Sequence, residues 1–178
     1  GDSQAIVTKN RVYLLGGFNG SGYVATVYTA PINEDGTLGA WTTGTSLPGG
    51  LGMSQAIVTK NRVYLLGRSS SSIVYIAPIN EDGTLGTWTT GTPLPEELGN
   101  SQAIVTKNRV YLLGGTNNIV IVSQVFTAPI NADGTLGAWT TGTSLPGALA
   151  YSQAIVTKNR VYLLGGNNGS GNYVSTVY

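Results

Sequence analysis

The sequence predicts an all-β fold built from repeated units, and three observations support this prediction. The fourteen-residue segment SQAIVTKNRVYLLG occurs four times without a substitution, beginning at Ser3, Ser54, Ser101 and Ser152. The repeats begin 51, 47 and 51 residues apart, and periods of this size are typical of propellers and solenoids. Short runs of β-branched and aromatic residues alternate with Gly, Asn and Asp turns, and no long stretch has helical periodicity.

Each repeat divides into four predicted strands, A to D. Strand A is SQAIVT, whose contiguous apolar residues suit a strand covered on both faces, and the polar turn KNR follows it. Strand B is RVYLLGG, and a loop of variable length leads to strand C, for example VATVYTAPI. The turn NEDGTLG then leads to strand D, AWTTG. Because the fourth repeat ends before strand D, we expect fifteen strands in four antiparallel blades of a β-propeller.

These blades form a single predicted domain over residues 1–178. Their approximate bounds are 3–50, 54–97, 101–148 and 152–178, and the last blade lacks its outer strand. The chain begins inside a linker between repeats and ends part-way through a repeat. We therefore expect a fragment, a processed form or an engineered segment.

The repeats resemble those of the kelch-type propeller family. The resemblance lies in the RVYLLGG strand, in an aromatic residue of strand C followed by a Trp of strand D, and in the LP that comes next. The aromatic pairs are Tyr28 with Trp41, Tyr75 with Trp88, and Phe126 with Trp139. The resemblance implies that strand A lies nearest the central axis and that a ring has six or seven blades. About 3.75 blades would then be completed by a second chain or by missing sequence, so we expect a homodimer or a larger assembly.

Composition excludes several classes of protein. The net charge is +1 and charged residues make up 10%, which predicts no nucleic-acid partner. No apolar run approaches the roughly 18 residues of a membrane-spanning helix, so we expect no membrane insertion. The absence of Cys and His removes thiolate nucleophiles, the commonest general base and the commonest metal ligands. We expect no enzymatic activity, no cofactor and no metal.

Two groups of acidic residues are candidates for a catalytic pair and for a calcium site, and neither is favoured. Glu96 and Glu97 are adjacent in one linker and cannot flank a glycosidic bond from opposite sides. The turn at 33–35 carries oxygen ligands for calcium but is far shorter than a calcium-binding loop, so an ordinary solvated turn is favoured.

Variation between the repeats predicts which side of the propeller binds. In an up-and-down blade the A–B and C–D turns share one side, here called the fixed face, and the B–C loops and D–A linkers share the other, the variable face. All length variation falls in the B–C loops. Eight of nine basic residues lie in the KNR turns and five of eight acids in the C–D turns, which predicts an inner basic and an outer acidic ring on the fixed face.

The variable face is nearly uncharged and rich in Asn, Ser, Gly and Tyr, the side chains that suit hydroxyl-rich ligands or adaptable protein recognition. Two of its loops contain Asn-Gly-Ser sequons, at Asn19 and Asn168, which are also ordinary loop composition. The candidate ligand contacts are Phe18, Asn19, Tyr23, Arg68, Ser70, Asn117, Asn118, Tyr151, Asn167, Asn168 and Tyr173.

Two hypotheses for function follow. The first is a lectin-like or adhesive module on an extracellular or virion surface, such as a tail-fibre or adhesin repeat, with a glycan or surface protein as its partner. Near-identical repeats with altered loops suit multivalent recognition, in which avidity multiplies modest affinities. The second is a structural or protein-interaction scaffold, designed or recently amplified, without a ligand of its own.

Overall fold

The computed structural model describes residues 2–68, 71–118 and 120–178 and shows four antiparallel sheets arranged as a four-blade β-propeller. Within those ranges the chain forms fifteen strands and no α-helix, which confirms the predicted fold class. The described residues accordingly contain no helix that could span a membrane. Every sheet follows chain order from its first strand to its last, so each blade is a meander.

The strands fall into four sets. Blade 1 contains β1 (Gln4–Thr8), β2 (Arg11–Leu15), β3 (Val27–Pro31) and β4 (Thr42–Thr43). Blade 2 contains β5 (Gln55–Val58), β6 (Arg62–Arg68), β7 (Ser71–Pro78) and β8 (Thr89–Thr90). Blade 3 contains β9 (Gln102–Val105), β10 (Arg109–Asn117), β11 (Val120–Pro129) and β12 (Thr140–Thr141). Blade 4 contains β13 (Gln153–Val156), β14 (Val161–Asn167) and β15 (Tyr173–Val177).

The first strands of the blades surround the propeller axis. Strands β1, β5, β9 and β13 contact one another in that order, whereas the two-residue strands β4, β8 and β12 form the outer edges. The outer strands are shorter than the predicted AWTTG. The linker leaves the sheet directly after them, because Leu47 and Leu51 turn inward and are buried between blades 1 and 2.

The second strands of blades 3 and 4 extend past the predicted Gly-Gly ending, to Asn117 and Asn167, whereas β6 ends at Arg68 as predicted. Strands β6, β10 and β14 each contain a register shift, in β6 between Leu66 and Arg68, and then continue pairing towards the variable face. The bulge requires glycine, since Gly67 has a φ of +65° and a Cβ there would lie 2.1 Å from the Leu98 carbonyl oxygen. The D–A linker therefore lies directly against the bulge.

The core lies between the blades. One side of blade 1, including Ile6, Tyr13 and Leu15, packs against Leu85 and Trp88 of blade 2. The same arrangement recurs between blades 2 and 3. Between blades 3 and 4 the core is smaller, because the fourth blade ends at its third strand.

Hydrogen bonds across the same boundaries fix the relation between neighbouring blades. The Tyr13 hydroxyl and the Thr8 hydroxyl both donate to the Gly83 carbonyl oxygen of blade 2, at 2.9 and 3.0 Å. Tyr64 and Thr59 repeat this arrangement at the Gly134 carbonyl oxygen, at 3.2 and 2.8 Å. The A–B turn of one blade thus lies beside the C–D turn of the next, as the predicted fixed face requires.

Candidate functional site

A polar cavity of about 240 Å³ opens at the propeller axis on the variable face. All four blades line it, each with the end of its D–A linker and the start of its first strand. We call this cavity the axial site. Its lining residues are Asp2, Gln4, Met53, Ser54, Gln55, Asn100, Ser101, Gln102, Tyr151, Ser152 and Gln153.

The Gln and Ser residues form a constant frame around the axial site. They come from the identical SQ of every repeat, and Ser54, Ser101 and Ser152 are buried. The Gln side chains join neighbouring blades. The Ala56 amide donates to Gln4 Oε1, and the Ala103 amide to Gln55 Oε1, both at 3.2 Å. These contacts hold the first strands in a fixed relation around the cavity.

The residue before each Ser is the part of this frame that changes. These residues are Asp2, Met53, Asn100 and Tyr151, one from each repeat and all different. Every one of them adopts a left-handed backbone conformation, with φ of 62°, 59°, 53° and 56° respectively. Asp and Asn tolerate that conformation, whereas a bulky residue such as Met53 or Tyr151 adopts it at an energetic cost.

Backbone hydrogen bonds link these positions around the axis. The Asn100 amide donates to the Met53 carbonyl oxygen at 2.9 Å, and the Tyr151 amide donates to the Asn100 carbonyl oxygen at 3.1 Å. The Asn100 side-chain amide also donates to the Tyr151 hydroxyl at 3.1 Å and to the Thr116 hydroxyl at 3.2 Å. The variable positions of blades 2 to 4 therefore form one connected unit.

Blade 1 adds a tyrosine and a carboxylate to the rim of the axial site. Burial and then the negative charge of Asp2 raise the pKa of the Tyr23 hydroxyl, with smaller contributions from Tyr151 and from a hydrogen bond to Asp2. Tyr23 also makes an edge-to-face contact with Phe18, with ring centroids 5.6 Å apart. Its ring lies over Gly52, where a Cβ would stand 1.9 Å from Tyr23 Cε1.

Of the predicted contacts, Tyr151 lines the axial site and Tyr23 lies beside Asp2 at its rim. Phe18 contacts Tyr23 but lines a separate cavity of about 260 Å³ with Asn19. Two others, Asn167 and Asn168, lie in a separate groove of about 520 Å³ between the B–C hairpin of blade 3 and the B–C loop of blade 4. Val120 lines the same groove and is 60% exposed. Tyr173, 79% exposed, begins β15 and pairs with Asn167.

Two predicted asparagines serve their own loops. Asn19 Oδ1 accepts hydrogen bonds from the Ser21 and Gly22 amides, at 3.0 and 3.1 Å. Asn168 Oδ1 accepts from the Ser170 amide at 3.1 Å and from its hydroxyl at 2.7 Å. Their amide oxygens therefore shape turns.

The remaining predicted contacts lie on the hairpins of blades 2 and 3. Arg68 ends β6 and pairs with Ser71, and Asn117 ends β10 and pairs with Val120. Asn118 follows with a φ of 62°. Ser70 falls outside the described residues. Arg68 and Asn117 are thus strand residues, not the loop residues that the sequence indicated.

The C–D turns use their carboxylates internally. Asp35 Oδ1 accepts hydrogen bonds from the Thr37 hydroxyl at 2.6 Å and from its amide at 2.9 Å, and these bonds lower the pKa of Asp35. Asp82 and Asp133 repeat the arrangement with Thr84 and Thr135. Among the described residues, no group of three or more acidic side chains is placed to hold a metal ion.

Sequence reasoning missed Asp2, Met53 and Asn100. A signal was present, because the letter before each SQ differs in all four repeats while the fourteen letters after it do not change. What the sequence did not indicate is that these four positions, about fifty residues apart, meet at one cavity.

The fold and this axial site define the chain as a β-propeller. No protein-family model and no curated protein matches the sequence. Among solved structures, the protein YjhT is similar, with a TM-score of 0.75 and 11% sequence identity over 93% of this chain. At that identity the similarity concerns the fold alone. The match covers 58% of YjhT, so the chain spans less than two thirds of that protein's length. Membership of the kelch family stays a prediction.

Proposed function

We propose that the chain is a non-enzymatic, lectin-like binding module that recognises an uncharged, hydroxyl-rich ligand at the axial site. One observation carries the proposal. Four repeats whose next fourteen residues are identical present four different side chains at one structural position, lining one polar cavity. Variation confined to a rigid frame is how a recognition surface is built.

The backbone of these positions supports the same proposal. Glycine would adopt the left-handed conformation without strain, yet Met53 and Tyr151 adopt it at φ of 59° and 56°. A purely structural linker gains nothing from a large side chain in such a conformation. A binding surface does gain, because the side chain is what contacts the ligand.

The chemistry of the lining favours neutral ligands. Amide groups of four Gln residues and Asn100 line the cavity together with Ser hydroxyls, and the donor and acceptor positions that they do not use within the frame suit sugar hydroxyls. Tyr151, 52% exposed, offers a ring for stacking, and among the described residues of the lining Asp2 alone has a charged side chain. A cavity of about 240 Å³ is smaller than the roughly 300–1,000 Å³ of sites for drug-sized ligands. It suits one sugar residue at the end of a glycan.

A single small site implies modest affinity, and this agrees with an adhesive role. On an extracellular or virion surface, many displayed modules would bind together, and avidity would raise the overall strength.

A second candidate is protein recognition through the groove between blades 3 and 4. The observation that favours it is the exposure of Val120 in the groove, at 60%, and of Tyr173, the strand partner of Asn167, at 79%. Apolar and aromatic side chains next to the Asn167 and Asn168 loop are typical of adaptable protein-binding surfaces.

A glycan array probed with labelled protein tests the proposal and locates the glycan-binding site. We expect binding to neutral glycans that is lost in Tyr151→Ala and kept in Tyr173→Ala, which removes an exposed tyrosine from the same face but away from the axis. Thermal unfolding of both variants controls for folding. Loss in Tyr173→Ala alone would move the site to the groove, and absence of any glycan signal would contradict the proposal.

A further inference from the structure

The last blade exposes a surface that is buried in every other blade. Ile6, Ile57 and Ile104 occupy equivalent positions and are 7%, 5% and 7% exposed, because each packs against the following blade. The fourth equivalent, Ile155, is 51% exposed. Val177 repeats the pattern, at 58% exposure against 1% for Val27. We call this surface of blade 4, formed by Ile155, Tyr162, Leu164 and Val177, the tail face.

The first blade exposes the complementary surface. In blade 2, Leu85 and Trp88 are both 6% exposed, because they pack against blade 1. Their equivalents in blade 1, Leu38 and Trp41, are 47% and 49% exposed. We call the surface formed by Tyr28, Leu38 and Trp41 the head face. Since both faces are exposed within one chain, the chain's own head does not cover its tail.

Polar groups at the two faces are complementary as well. Between blades, a Thr and a Tyr hydroxyl of one blade donate to the carbonyl oxygen of a C–D turn glycine in the next, as at Gly83 and Gly134. The tail face has the corresponding donors in Thr157 and Tyr162, and the head face has the corresponding acceptor in Gly36.

Charge follows the same pattern. The Arg11 guanidinium of blade 1 contributes to lowering the pKa of Asp82 in blade 2, and Arg62 does so for Asp133. At the two ends, Arg160 and Asp35 are the equivalent residues. A head face meeting a tail face would therefore bring opposite charges together.

We propose that the tail face of one chain binds the head face of a second copy of this chain, continuing the blade-to-blade interface across two molecules. This contact is heterologous, and two such contacts in a pair of chains close a ring. The occupant is another copy because the tail face offers the same side chains, in the same sheet, that already bind this sequence between blades 1 and 2. The proposal does not depend on ligand binding at the axial site.

The test is the mass of the native assembly, measured by native mass spectrometry and light scattering. We expect the wild-type chain of 18.4 kDa to form a dimer. Ile155→Glu blocks the tail face and Trp41→Glu blocks the head face, so each variant alone should be monomeric. Both positions are exposed in the single chain, and circular dichroism checks that each variant folds. Val120→Glu, which adds the same charge at an exposed position on the variable face, should remain dimeric.

Mixing the two blocked variants gives the sharpest outcome. One intact tail face then meets one intact head face, so an equimolar mixture should form a heterodimer although neither variant pairs with itself. A symmetric interface would not be restored in this way. Wild-type oligomers larger than a dimer, abolished by either variant, would support the same contact in an open chain of molecules in place of a closed ring. A monomeric wild type at high micromolar concentration, or dimers that persist in both variants, would overturn the proposal.

Discussion

The hydroxyl of Tyr13 donates a 2.9 Å hydrogen bond to the carbonyl oxygen of Gly83, seventy residues further along the chain. The bond is buried and joins blade 1 to the C–D turn of blade 2. Tyr64 makes the equivalent bond to Gly134. Tyr111 is the third member of the series, but the chain contains no C–D turn for a fourth blade.

This relationship predicts unequal effects of the same substitution. Tyr13→Phe should lower the free energy of unfolding by about 1 kcal/mol, because it removes a buried hydrogen bond. Tyr111→Phe, the matched control, should change it by less than about 0.5 kcal/mol, the usual range for substitutions that remove no such interaction. Urea denaturation measures both. Equal losses would show that the hydroxyl acts within its own blade and not between blades.

The left-handed backbone conformation at the axial site predicts that replacement of a bulky residue there by glycine raises stability. Met53→Gly should raise the free energy of unfolding by about 1 kcal/mol through relief of backbone strain. Asn100→Gly should give no gain, because Asn tolerates this conformation and its side chain binds Thr116 and Tyr151. Chemical denaturation of the two variants tests the difference. A loss of stability in Met53→Gly would show that the Met side chain has a packing role.

The C–D turns predict a loss of stability in acid. Hydrogen bonds from Thr37 lower the pKa of Asp35 below its usual 3.8, and the same holds for Asp82 with Thr84 and Asp133 with Thr135. A lowered folded-state pKa gives stabilisation that is complete above the ordinary value and is lost as the pH falls below it through the folded-state value. The melting temperature should therefore decrease as the pH is lowered below about 4.

Substitution of all three aspartates by asparagine should reduce this acid dependence. Glu34→Gln is the control, since it removes a charge from the same kind of turn but leaves the acceptor of the Thr37 amide in place. Thermal melts between pH 2 and pH 6 compare the variants. An unchanged acid dependence in the triple variant would assign it to other carboxylates.

A second groove between blades 3 and 4, apolar and separate from the one at Asn167 and Asn168, predicts that this chain gains stability from an added strand. The groove measures about 420 Å³ and is lined by Tyr111, Leu113, Leu145, Leu163 and Tyr178 among others. Between blades 1 and 2 the equivalent space holds Leu85 and Trp88.

Appending TAPINEDGTLGAWTTG, the sequence of residues 29–44, after Tyr178 should fill this groove. We expect the free energy of unfolding to rise by about 3 kcal/mol, the scale of burying a large aromatic side chain. The control is the same extension with its Leu and Trp replaced by Ser. Similar stability for both extensions would show that the groove does not select these side chains.

Most of the fold could be predicted from the sequence, because the same pattern of strands and turns recurs in four repeats. Strand count, strand order and the division into two faces all follow from repeat spacing and turn residues. The short outer strands did not follow, since burial of Leu47 and Leu51 ends them early. Nor did the extended second strands, which depend on backbone contact between a bulge and a linker.

The axial site was less accessible to sequence reasoning. The predicted contacts included Tyr23 and Tyr151, which the structure places at the axial cavity, and also Asn19 and Asn168, whose oxygens hold turns. Composition indicates what a loop contains and not where its side chains point. The four positions before each Ser meet at the axis because of the tertiary structure. In the sequence, the only sign of this is that these equivalent positions differ between repeats.

Amide chemical-shift mapping tests most directly whether the variable positions around the axis form the binding site. The labelled chain would be titrated with neutral monosaccharides, namely galactose, mannose and N-acetylglucosamine, at millimolar concentrations. We expect at least one of them to shift the amides of Met53, Asn100 and Tyr151 together, with saturation, and to leave the KNR turns unaffected. Shifts confined to the groove at Asn167 and Asn168, or no saturable shifts with any of the three sugars, would contradict this expectation.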